Sequence, residues 1–112
     1  MRDPYPNHNI ETNLIKIENL YKSIFTEVGN TSIELSKHLV LIAHKDSSNN
    51  DAASLELMEH NYGYSISYWD GYSLAEKIDA QDIRAALKIF KRLAKKLAKN
   101  LQRFSSQTST LN

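Results

Sequence analysis

Between Ile83 and Phe104, apolar residues recur at Ile83, Leu87, Phe90, Ala94, Leu97, Leu101 and Phe104, spaced alternately by four and three. Only a helix brings such positions into one stripe. The remaining surface of that helix carries Arg84, Lys88, Lys91, Arg92, Lys95, Lys96, Lys99 and Arg103, with no acidic residue after Asp82. With Ile83 at zero on a helical wheel, the eight cations fall between about 80° and 220°. A long amphipathic helix of this kind needs an apolar surface to lie on, either a sheet or a second copy of itself.

The segments before it supply a sheet. Ile10, Leu14, Ile17, Tyr21, Ile24 and Val28 follow the same spacing and predict a first helix, capped by Asn9 or Thr12 and stopped at Gly29-Asn30. The period then changes to two. From Ile33 the chain alternates, which predicts a strand centred on residues 37–45. Residues 45–51 (KDSSNND) read as an exposed polar loop. Ser54 to Trp69 reads as one extended stretch, with Gly63 as an interior bulge or bend. Asp70-Gly71 then signals a tight hairpin, which pairs Trp69 with Tyr72, Ser67 with Leu74 and Ser65 with Glu76. The closing strand is expected over Tyr72–Ile78, with Asp79 opening the C-terminal helix.

The expected fold is therefore a single α+β domain over residues 1–112, a two-layer sandwich. It has an N-terminal helix, a three- or four-stranded antiparallel sheet with the Asp70-Gly71 hairpin, and the long C-terminal amphipathic helix. Residues 1–8, with Pro4 and Pro6, form an extended lead-in, and residues 105–112 a frayed tail. At 112 residues there is room for one core. Both helices cover one sheet face, so the other faces solvent or a partner.

Composition narrows the chemistry. There is no cysteine, hence no disulfide framework, thiolate metal cage or thiol nucleophile. Gly29, Gly63 and Gly71 are isolated, so no phosphate-cradling loop exists, and no serine sits in a nucleophile elbow. His8, His38, His44 and His60 read as isolated surface histidines; a zinc site at His44 and His60, with Asp46 or Glu59, is the weaker alternative. We expect no enzyme, no cofactor and no metal. The longest apolar run, Leu39–Ala43, is far below the roughly 20 residues of a membrane span. No secretory h-region follows the N-terminus, so a cytoplasmic location is expected.

Charge is the most telling feature. The net charge is +1, yet residues 1–82 sum to −7 and residues 83–112 to +8. The acidic part also holds Tyr62, Tyr64, Tyr68, Trp69 and Tyr72, half of the ten aromatics. Aromatics serve sheet cores and binding hot spots alike. The leading expectation is a small protein-binding or inhibitor module, most concretely a bacterial immunity or antitoxin-type protein that covers the active site of a cognate toxin, possibly a nuclease. Its expected binding surface is Asp46, Asp51, Glu56, Glu59, Asp70 and Glu76, anchored by Tyr62, Tyr64, Tyr68 and Trp69. The alternative is a nucleic-acid-binding or regulatory protein that uses Arg84, Lys88, Lys91, Arg92, Lys95, Lys96, Lys99 and Arg103. A homo-oligomer through the Ile83–Phe104 seam is a third use of the same helix.

Overall fold

A computed structural model describes residues 9–45 and 52–110, the side chains of 103–110 excepted. The element order is α1 (Leu14–Ile24), β1 (Thr31–Leu35), β2 (Leu39–His44), β3 (Ser54–His60), β4 (Gly63–Trp69), β5 (Leu74–Ala80) and α2 (Ile83–Thr110). The five strands form one antiparallel meander in the order β1-β2-β3-β4-β5. This is the expected α+β arrangement with five strands in place of three or four.

The first helix is shorter than the Ile10–Val28 stripe. Asn9 accepts a hydrogen bond from the Thr12 N–H on its Oδ1 at 3.0 Å, and a 3-10 turn over Glu11–Asn13 leads into α1. Asn30, at φ 61°, turns the chain into β1. The turn between β1 and β2 carries no glycine or proline. Ser36 makes it instead: its N–H and its Oγ both donate to the Leu39 carbonyl, at 3.0 and 2.9 Å.

The stretch from Ser54 to Trp69 is two strands. Asn61 and Tyr62 form the loop, and His60 pairs with Gly63. Gly63 thus opens β4 rather than bending a continuous strand. A Cβ built on it lies 2.6 Å from the Ala80 carbonyl oxygen of β5. Gly63→Ala must push two hydrogen-bonded strands apart, and we expect a loss of about 2 kcal/mol, read as a lower urea midpoint. A midpoint equal to that of the unchanged protein contradicts this packing.

The hairpin after β4 is where expected, but its register is not. Trp69 pairs with Leu74, Tyr68 with Glu76, Ser67 with Lys77 and Ser65 with Asp79, with a bulge at Tyr68/Trp69. The turn is longer than a two-residue loop because Asp70 Oδ1 accepts the N–H groups of Tyr72 and Ser73, each at 2.9 Å. The strand accordingly runs on to Ala80. α2 starts at Ile83, not at Asp79, and Asp82 caps it by accepting the Ala85 N–H at 2.8 Å.

The core lies between the sheet and α2. Val40, Ile42, Leu55, Leu57 and Ile66 point to the helices and are fully buried. Facing them are Phe90, Leu93, Ala94 and Leu97, all at 0% exposure. The seam residues from Ile83 to Leu101 are thus used up against the sheet. A coiled coil through the same stripe would have to open this core. The backbone of α2 stays helical to Thr110, past the Ser105 boundary expected for a frayed tail.

Candidate protein-binding face

Register decides which side chains the two sheet faces present. Because pairs opposite one another share a face, the rows Ile33–Ile42–Leu55–Tyr68 and Leu35–Val40–Leu57–Ile66–Ile78 lie under the helices. The alternate rows lie on the side away from α2. One is Ser32–Ala43–Ser54–Trp69 and the next is Glu34–Leu41–Glu56–Ser67–Lys77. A third is Leu39–Met58–Ser65–Asp79. Both described helices pack on the opposite face, and Leu39, Leu41, Ala43 and Met58 stay partly exposed on this one.

Its composition is mixed in an ordered way. Leu39, Leu41 and Ala43 form an apolar strip along β2, with Met58 beside Leu39. Trp69 stands across Ser54 from Ala43, at the far end of the bulged hairpin. All five are only half-buried. Ser54 and Ser67 between them are half-buried and short enough for a partner to approach closely, whereas Ser65 is buried beside His60. Glu34, Glu56 and Asp79 surround the strip, against Lys77 alone among the strand residues of this face.

The surface expected from sequence divides between the two faces. Glu56 and Trp69 are on the open one. Tyr64 and Tyr68 are in the core, 8% and 1% exposed, so neither is presented to a partner. Tyr68 is fixed by its hydroxyl, which accepts a hydrogen bond from Asn100 Nδ2 of α2 at 2.7 Å. Glu59 turns toward the helix side. Its Oε1 accepts the Ile10 N–H at 3.0 Å and its Oε2 lies 3.3 Å from His38 Nδ1. Asp70 is held in the hairpin turn, where the Tyr72 and then the Ser73 N–H lower its carboxyl below the ordinary range. Tyr62 is exposed at the β3–β4 loop and stacks on His60, whose Nε2 lies 2.9 Å from Ser65 Oγ. Asp46 and Asp51 lie outside the described residues.

Glu76 faces α2. Lys96 Nζ donates to its Oε2 at 2.8 Å and an Arg92 Nη donates to its Oε1 at 3.4 Å. The Lys96 hydrogen bond holds the Glu76 carboxyl below its ordinary value of 4.5, partial burial opposes it, and the charges of Lys96 and Arg92 add to the lowering. A depressed carboxylate stabilises the fold above its unfolded pKa, and that stabilisation is lost as pH falls through the lower folded value. Acidification through and below the ordinary value of 4.5 therefore removes this contribution, by under about 1 kcal/mol because the group is partly solvated. Glu76→Gln should flatten that part of the stability profile. An unchanged slope contradicts the pairing.

His44 and His60 do not converge, and His8 lies outside the described residues. In the β2–β3 ladder Leu39 stands opposite Met58 and Ala43 opposite Ser54, which puts His44 and His60 at opposite ends. The zinc alternative at these two residues therefore fails on geometry. Among the described residues no three metal-ligating side chains come together.

The cations of α2 separate into two groups. Arg92 and Lys96 lean over β5 onto Glu76, and Lys96 also sits 5.8 Å above the Tyr68 ring. Arg84, Lys88, Lys91, Lys95 and Lys99 are exposed, and no acidic partner is seen for them among the described residues. The side chain of Arg103 lies outside the described residues. The −7 and +8 portions of the sequence thus become, in part, opposite sides of one molecule.

Sequence reasoning missed Leu39, Leu41 and Met58 as surface residues. The clue was present in the alternation itself: if Val40 and Ile42 face a helix, their neighbours face away. Among the described residues no helix is long and apolar enough to cross a membrane. No protein-family model, curated protein or solved structure matches the chain.

Proposed function

We propose that this protein is a small binding module whose open sheet face covers a basic surface on another protein. It acts by occupation rather than by catalysis. The observation that carries this reading is the face itself: a partly exposed apolar strip of Leu39, Leu41 and Met58, with Trp69 at one end and Glu34, Glu56 and Asp79 around it. Aromatic and aliphatic anchors inside a polar rim are the usual anatomy of a binding site. The acidic rim suits a cationic partner and speeds association with it. The specific version is an immunity or antitoxin-type inhibitor in bacteria that seats this face over the basic cleft of a toxin, for instance a nuclease.

The test is to capture partners with the tagged full chain in nuclease-treated lysate, purify the captured protein, and assay its activity with and without an equimolar amount of the chain. The reading predicts one basic protein, bound one to one, whose activity falls on binding. Partners that remain fully active, or self-association of the chain as the sole interaction, contradict it.

A further inference from the structure

The exposed cations of α2 have a geometry that the sheet-face reading leaves unused. Arg84, Lys88, Lys91, Lys95 and Lys99 are spaced by four, three, four and four residues. On the wheel with Ile83 at zero they occupy an arc of only about 80°, and along the axis they span about 22 Å. Arg92 and Lys96 lie outside that arc, on the side where Glu76 neutralises them. What remains is a straight row of charge.

The row also opens at one end into a groove. α1 lies beside the start of α2, and the space between them, about 690 Å³, is lined by Lys16 and Leu20 from α1 and by Arg84, Lys88 and Lys91 from α2. One acidic side chain, Asp82, is on its wall. Its Oδ1 is engaged with the Ala85 N–H, so its charge is partly met by the helix terminus.

We infer that this row and groove form a second interaction surface, which takes the sugar-phosphate backbone of double-stranded nucleic acid without reading sequence. A duplex presents phosphates in a continuous line, and a straight helix bearing cations along one edge matches it over several contacts. The row contains no aromatic residue on which unpaired bases could stack, which disfavours single strands. The apolar half of α2 is committed to the sheet, and Ile15 is the only large apolar side chain that the two helices expose among the described residues. A helix without a free apolar flank has nothing to insert into a lipid surface. The acidic rim lies on the other side of the sheet, so it does not meet the duplex.

The experiment uses fluorescence anisotropy with the full chain and a labelled DNA duplex of about 24 base pairs, titrated at rising salt. Five phosphate contacts, one for each cation of the row, predict a slope of log K against log salt of about −4.5. Replacing Lys88, Lys91 and Lys95 together by Gln removes three contacts. It should bring the slope to about −2 and weaken binding at low salt by at least about 30-fold. The matched variant Lys22→Gln, Lys37→Gln, Lys45→Gln has the same net charge and should keep the original slope. All six positions are exposed, and thermal melts of both variants verify that they fold. Equal losses in the two variants, a slope near zero, or capture by anionic vesicles with no duplex binding overturns the inference.

Discussion

Phe90→Ala is expected to lower the unfolding free energy by about 3–5 kcal/mol, the range for an aromatic truncated in a packed core. Phe90 has no exposed surface and sits two turns into α2 between Leu87 and Leu93, over a sheet face made of Val40, Ile42, Leu55, Leu57 and Ile66. The helix does not stand on its own. Its cations crowd one side and would repel one another in isolation, so docking on the sheet is what holds it. Domains of this size have only about 5–15 kcal/mol to lose. The variant should therefore lose a large fraction of its stability. Urea denaturation followed by circular dichroism measures the loss. A drop below about 1 kcal/mol would mean that α2 is not docked as described. A change in oligomeric state with little change in stability would instead support the coiled-coil use of the seam.

Much of this architecture was legible because each long element buries one side only. The four-three spacing from Ile83 to Leu101 marks α2 without ambiguity, since every stripe position has a core to fill. The strand boundaries were harder, and for identifiable reasons. The β1–β2 turn is made by the Ser36 side chain, a residue with weak turn preference, so two strands blurred into one. The β3–β4 loop places an ordinary tyrosine, Tyr62, before Gly63, so in sequence the glycine looks like an interruption of one strand. A strand of 16 residues would have been far longer than the usual five or six, and that length was the clue.

The binding surface was less legible than the fold. Tyr64 and Tyr68 look like anchors in sequence, yet the fold spends them on packing. Which parity faces the helices depends on the register of the sheet, and the Tyr68/Trp69 bulge shifts that register. Charge told more than hydrophobicity did. The step from a net-acidic stretch to one whose charged residues are all basic, at Asp82/Ile83, coincides with the step from sheet to covering helix, so part of the asymmetry in sequence becomes an asymmetry in space.

The largest effect on binding is expected from Leu41→Glu combined with Glu56→Lys. The two residues are neighbours across β2 and β3 on the open face, and both are partly solvent-accessible. Neither belongs to the buried cluster beneath the helices, so the pair should cost little stability. At the interface the consequences differ in kind. Leu41→Glu puts a charge where an apolar contact is made, and Glu56→Lys sets like charge against a basic partner. Burying such mismatches costs several kcal/mol, which corresponds to a loss of affinity of at least about 100-fold. A Glu59→Lys change would be a poor test, because Glu59 anchors the Ile10 backbone and its loss reports on the fold.

The most direct measurement is therefore titration calorimetry of the captured and purified partner against three full-length chains: the unchanged protein, Leu41→Glu/Glu56→Lys, and Lys88→Gln/Lys91→Gln/Lys95→Gln. If the open sheet face is the binding surface, the first and third bind alike and the second loses at least about 100-fold. If the second binds as tightly as the first, or the third loses the partner in its place, the sheet face is not where this protein works.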